Sequence, residues 1–222
     1  MRSKMKILPG IKTLRSRLAR FVGDDRATVI IEMAFAVPLL VVLGFGGLEM
    51  AYLTLANTRI SQIGLSAADN ASRVAAGASL SLPQIRELDI NELFTGVEEQ
   101  AEGLDFKKHG RIILSSLERN ADGGQWIHWQ RCYGDLKVIS SYGVEGTGKT
   151  GTTFKGMGPT NREVTAASGT AVMFVEIVYE YQPLAFGAWL GPRTIRSTAA
   201  FNIRESRDLN KVYSPGVKSA CT

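Results

Sequence analysis

The chain predicts an α+β fold in which one long N-terminal helix, part transmembrane and part amphipathic, packs on a roughly four-stranded antiparallel sheet. Three observations predict it. The stretch between Glu32 and Glu49 carries no charge. Past it, apolar residues recur at three- and four-residue steps to about residue 76. Farther on come short β-rich runs, the last two alternating apolar with polar residues.

The first element is a basic leader, residues 1–27. Arg2, Lys4, Lys6, Lys12, Arg15, Arg17, Arg20 and Arg26 supply much of the basic excess behind the net charge of +5. Beyond them acids and bases nearly balance, so the basicity belongs to this segment and does not describe a nucleic-acid-binding face. Thr28–Ala56 follows as TVIIEMAFAVPLLVVLGFGGLEMAYLTLA. A helix of about 20 residues crosses a hydrocarbon core of ~30 Å, and this run suffices even with Pro38 inside it. It is too long and too evenly apolar for a buried core helix. A cleaved secretory signal would have an apolar region of about 7–15 residues and a small-x-small site behind it, whereas Thr54–Asn57 reads TLAN. The expectation is therefore a retained single-pass helix. Basic residues crowd its N-terminal side and Arg59 is the one nearby on the other. That asymmetry puts the N-terminus in the cytoplasm and the larger part outside, which in a bacterium means the periplasmic side of the inner membrane.

Glu32 sits near the cytoplasmic edge of the apolar run, where an ionised carboxylate is costly if it lies deep. Either it is close enough to the interface to stay solvated, or a partner group neutralises it. The surrounding residues, DDRATVIIEMAFAVPLLVVLGFGGLEMAYL, resemble the N-terminus of TadE-like proteins, minor pilins or pseudopilins of the tight-adherence (Flp-type) pilus. Glu32-Met33-Ala34-Phe35-Ala36-Val37-Pro38-Leu39-Leu40 follows their pattern in order, and Glu49 takes the place of its second acidic residue. About 30 residues carry the resemblance firmly. It implies that a prepilin peptidase cuts between Ala27 and Thr28, leaving Glu32 at the fifth mature position. Glycine is usual where Ala27 stands, and Gly23 would put Glu32 too far along. The resemblance further implies that Glu32 pairs with the new N-terminal amine of a neighbouring subunit, with other pilus subunits and an inner-membrane assembly platform as partners.

The head, residues 57–222, begins with the amphipathic continuation of the helix: Leu53, Ala56, Ile60, Ile63, Ala67 and Val74 on one face. It should end near Ala76–Gly77. A second helix is expected from Ile90 to Glu102. Strands are expected at Arg111–Glu118, Gln125–Cys132, Ala171–Tyr181 and Thr194–Arg204, with one sheet face polar and one under the long helix. The apolar connection Gln182–Pro192 is either a tucked corner of the core or a contact for a partner or the membrane. The tail from Glu205 is polar and irregular. Cys132 and Cys221 are the two cysteines. They are free thiols in a reducing compartment, or a disulfide tying the tail to the second strand in an oxidising one.

GVEGTGKT at Gly143–Thr150 matches the phosphate-loop pattern G-x-x-x-x-G-K-[ST] at every fixed position. A working loop follows a buried strand and opens a helix. Leu136–Ser141 passes as a short strand, but GTTFKGMGPTN after Thr150 cannot hold a helix. No apolar strand ending in aspartate is available for magnesium. The match reads as a coincidence in a Gly/Thr-rich loop, with no nucleotide and no cofactor expected. His109 and His128 lack Cys or carboxylate neighbours at ligand spacing, so no metal site is expected, and Glu98-Glu99 reads as a solvated helix face. The expected function is structural and non-enzymatic. The alternatives are a membrane-anchored periplasmic binding protein using the Gln182–Pro192 loop and, behind it, a nucleotide hydrolase using Lys149.

Overall fold

The long helix, α1 (Asp25–Arg73), runs unbroken through Pro38. In the computed structural model the described residues are 25–74, 82–184 and 191–221. They divide between Met50 and Ala51 into two compact units. The first holds the apolar half of α1. In the second, the remaining turns of α1 lie on a sheet of four antiparallel strands: β1 (Gly110–Arg119), β2 (Gln125–Tyr133), β3 (Ala171–Tyr181) and β4 (Arg193–Asn202), in the order β2-β1-β3-β4. Two short helices, α2 (Glu87–Gln100) and α3 (Phe106–His109), fill the connection between α1 and β1.

The apolar stripe of α1 docks as its spacing dictates. Ala56, Ile60, Ile63, Ala67, Ala68 and Ala71 are buried with Ile112 and Leu114 of β1 and Met173, Val175 and Ile177 of β3. Small residues let the helix approach closely: the nearest sheet side-chain atoms to Gly64 lie about 3.5 Å from where a Cβ would sit. α1 ends at Arg73, a turn before the expected stop. Arg207 accounts for this end, since its guanidinium donates to the carbonyls of Ala71 (3.3 Å) and Val74 (3.0 Å), which α1 itself cannot satisfy. α2 starts three residues earlier than expected, at Glu87. Arg86 closes that end from one side: its N–H and guanidinium both donate to the Asp89 carboxylate. β4 covers Arg193–Asn202, close to the expected Thr194–Arg204.

Two expectations fail. Leu136–Ser141 forms no strand. The sheet face away from α1 is not simply polar: Leu117, Ile127, Val172 and Phe174 form a second core with Met157 and Ala166. The long β2–β3 connection folds over this face and supplies those two residues. It buries Glu176, which reads as a solvent-facing residue in the alternating pattern of β3. The Glu176 carboxylate accepts from Ser141 N–H at 3.1 Å and lies 3.7 Å from Arg196. The apolar connection 182–192, expected as a tucked corner of the core or a contact, falls partly outside the described residues, and residues 1–24 of the leader lie outside them.

Candidate functional site

The apolar half of α1 is the first candidate. Over an 18-residue window its mean hydropathy is 2.4 with none of the window buried, so the helix is long and apolar enough to span a membrane. Ile30, Phe35, Leu39, Leu40 and Leu43 stand exposed around it. Glu32 is exposed as well, the one ionisable side chain between Thr28 and Leu48. Its helical neighbours three and four positions away are Thr28, Val29, Phe35 and Ala36, none of which can neutralise a carboxylate. Glu49, the second acidic position, is by contrast 2% exposed. Thr28 is exposed in the first turns of α1. Ala27 lies in the same helix, its side chain outside those described.

The second candidate is the outer side of β2, where four segments meet. Cys132 and Cys221 are joined by a disulfide, and Cys132 N–H donates to Ser219 carbonyl at 2.9 Å. Arg131, 4% exposed, makes a bidentate contact with the buried Glu87 (2.5 and 2.9 Å) and reaches Glu145 at 3.1 Å. Lys218 closes on Glu145 at 3.4 Å. Burial raises the Glu145 carboxyl, but the N–H of Gln130 and the charges of Lys218 and Arg131 outweigh it and hold the group below its ordinary value. Beside the disulfide lies a cavity of about 370 Å³ lined by Arg111, Lys137 and Lys218 above an apolar wall of Ile113 and Val138.

The phosphate-loop stretch is explained by the same strand edge. Ile127 N–H donates to Thr147 carbonyl (2.9 Å) and Gly146 N–H donates to Ile127 carbonyl (2.7 Å). Gly148 has φ of +76°, and a Cβ there would sit 2.3 Å from the Gln125 carbonyl oxygen. This fixed glycine of the pattern therefore serves close approach to β2. The amide of Asn120 donates to the carbonyls of Gly148 and Gly151, and Lys149 stays exposed. Turns and bends follow Thr150, with no helix N-terminus to meet a phosphate.

His128 has a carboxylate neighbour that sequence spacing hid. It is the extra residue of a bulge in β2, and its Nδ1 lies 2.9 Å from Glu118 Oε2 of β1. Ser116 Oγ donates to the other Glu118 oxygen at 2.7 Å. The serine thus sits on the carboxylate and not on the imidazole, which is the wrong order for a nucleophilic triad. His109 lies 3.8 Å from Asp105, beyond hydrogen-bond range. Glu98 and Glu99 are both exposed, and Glu98 accepts from the Tyr133 hydroxyl. Among the described residues no group of three or more His, Cys, Asp or Glu side chains is placed to hold a metal ion.

Compared with known proteins, the chain matches no protein-family model, no curated protein and no solved structure.

Proposed function

We propose that this chain is a non-enzymatic, TadE-like minor pilin or pseudopilin that takes part in assembling a tight-adherence (Flp-type) pilus. The observation that carries the reading is Glu32: one exposed carboxylate in the otherwise uncharged run from Thr28 to Leu48, at the place where the pattern of that family has its glutamate. An ionised carboxylate in hydrocarbon is costly, and a cation brought to it offsets that cost. The α-amine released by cleavage at Ala27–Thr28 in a neighbouring subunit would be such a cation. That bond falls in the first turn of α1, where helix ends fray readily, so a prepilin peptidase needs to open little structure to reach it. The basic leader favours a cytoplasmic N-terminus and a periplasmic head. A disulfide fits that oxidising side of the membrane.

The test is intact mass and N-terminal sequencing of the protein isolated from its native membranes. A mature chain starting at Thr28 is the expected outcome. A chain still starting at Met1 favours the second reading, a membrane-anchored periplasmic binding protein, for which the cation-lined cavity beside Cys132–Cys221 is the supporting observation. A start beyond Ala56 means that the apolar run is a secretory signal and removes the membrane helix from either account.

A further inference from the structure

The disulfide between Cys132 and Cys221 lies on the wall of the cavity described above. Both cysteines line that space of about 370 Å³, a volume within the range of small-molecule sites, about 300–1,000 Å³. Cys221 is exposed and Cys132 is buried, so an entering nucleophile meets the Cys221 sulfur first.

The charge around the disulfide is the second observation. Arg111, Lys137 and Lys218 line the cavity together with Glu145. Glu145 offsets Lys218 at 3.4 Å, and Asp135 acts on Arg111 from outside the lining. Arg131, which also reaches Glu145, is matched by its bidentate partner Glu87. The balance is positive by the charge of Lys137, an exposed side chain. A disulfide is cleaved by a thiolate and not by a thiol, and the displaced sulfur takes up the negative charge. A positive excess at the wall favours both events, because it draws an anionic thiol in and stabilises the departing thiolate.

The tail, finally, is held without the disulfide. Cys132 N–H donates to Ser219 carbonyl at 2.9 Å, Ser219 Oγ donates to Asn91 Oδ1 at 2.7 Å, and Asn91 Nδ2 donates to Val217 carbonyl at 2.9 Å. Opening the S–S bond leaves these contacts in place, so exchange does not require unfolding.

We infer that Cys132–Cys221 is a thiol-exchange site for a small thiol bearing a carboxylate, which attacks Cys221 Sγ in the folded protein. The thiol gives its proton to solvent, and its thiolate forms an S–S bond to Cys221. The bond to Cys132 breaks, and its electron pair stays on Cys132 Sγ as a thiolate. A second molecule of the same thiol attacks the mixed disulfide, which leaves both cysteines reduced and the two thiols oxidised to their own disulfide. The inference rests on the head alone and holds whether or not the leader is removed.

The test uses the full-length protein in detergent micelles and three small thiols: mercaptopropionate, mercaptoethanol and cysteamine. They carry a carboxylate, a hydroxyl and an ammonium group. Each rate of exchange is divided by that thiol's rate with a neutral disulfide, oxidised mercaptoethanol, which removes differences in intrinsic reactivity. Acid quenching, alkylation, intact mass and peptide mapping give the rate and the cysteine that carries the first adduct. The expected result is mercaptopropionate ahead of cysteamine by about ten-fold at low salt, as one excess charge at about 6 Å in water predicts for thiols of opposite sign. The advantage should vanish at about 1 M salt. The first adduct should be on Cys221, and the rate should rise in proportion to thiol concentration. Lys137→Glu should keep the wild-type melting temperature and reverse the order of the thiols. Should that variant melt early, the salt series on the wild-type protein decides in its place. Equal relative rates for the three thiols overturn the proposal, and so does a first adduct on Cys132. A rate that stops rising with thiol concentration also overturns it, because unfolding then admits the thiol.

Discussion

Glu32, in the apolar run, and Arg131, buried in the head, differ in where a compensating charge lies. For Arg131 it is within the chain: Glu87 and Glu145 surround the guanidinium. Arg131→Met leaves Glu87 buried without its cation and should cost about 3–5 kcal/mol, measured by chemical denaturation in detergent. Replacing Glu87 with Met as well should restore most of that loss, because the double change removes both charges. For Glu32 no compensating group stands one helical turn away. Glu32→Ala should leave membrane insertion intact, read by fractionation, while sharply reducing pili counted by electron microscopy. Normal piliation in that variant would count heavily against the proposed role. Glu32 stands out in the sequence because charge inside a long apolar run is conspicuous. The Arg131–Glu87 pair does not, since its partners lie 44 positions apart and both residue types are common on surfaces.

At the level of elements, the C-terminal tail has almost no regular structure yet is extensively held. Tyr213 N–H donates to Ile85 carbonyl, Glu87 and Leu88 N–H donate to the carbonyls of Tyr213 and Pro215, and Ser219 accepts from Cys132. The disulfide closes a span of 89 residues and restricts the unfolded chain accordingly. Cys221→Ser should cost about 2–4 kcal/mol. It should also speed amide exchange at Cys132, Tyr213 and the first turn of α2, measured by hydrogen exchange. Arg207 does for α1 what the disulfide does for β2. Its guanidinium is held at the helix end, and burial pulls it down to about 10. Arg207→Met should keep the packing volume but orphan the carbonyls of Ala71 and Val74, so exchange at the last turn of α1 should rise more than elsewhere. The strands and helices were legible from their periodicities. The tail and the β2–β3 connection were not, because their order comes from backbone bonds to distant partners and leaves no period in the sequence.

Across the whole molecule, acid is the condition to which the structure points. The Asp69 carboxylate is held below its ordinary 3.8 by hydrogen bonding to Arg73 and by the charge of Arg204. Burial pushes Asp89 up, but the Arg86 side chain and N–H more than reverse it. Glu145 is lowered from 4.5 on balance as described above. With the folded-state values depressed, the unfolded chain takes up protons first as pH falls. The stabilisation is full above these ordinary values and is lost as pH drops through them toward the folded ones. The melting temperature should therefore stay level from neutral to about pH 5 and fall steadily below about pH 4. A flat profile down to pH 3 would mean these pairs add nothing. By itself the sequence determined the membrane-length helix, the amphipathic stripe beyond it, the four strands and the residues of the disulfide, because charge, hydropathy and period are local properties. Only the tertiary structure decided the strand order, the second core beneath the β2–β3 connection, the burial of Glu176 and the use of the glycine-rich loop as an edge cover. Each of these depends on which distant backbone satisfies which, and a linear pattern does not record that.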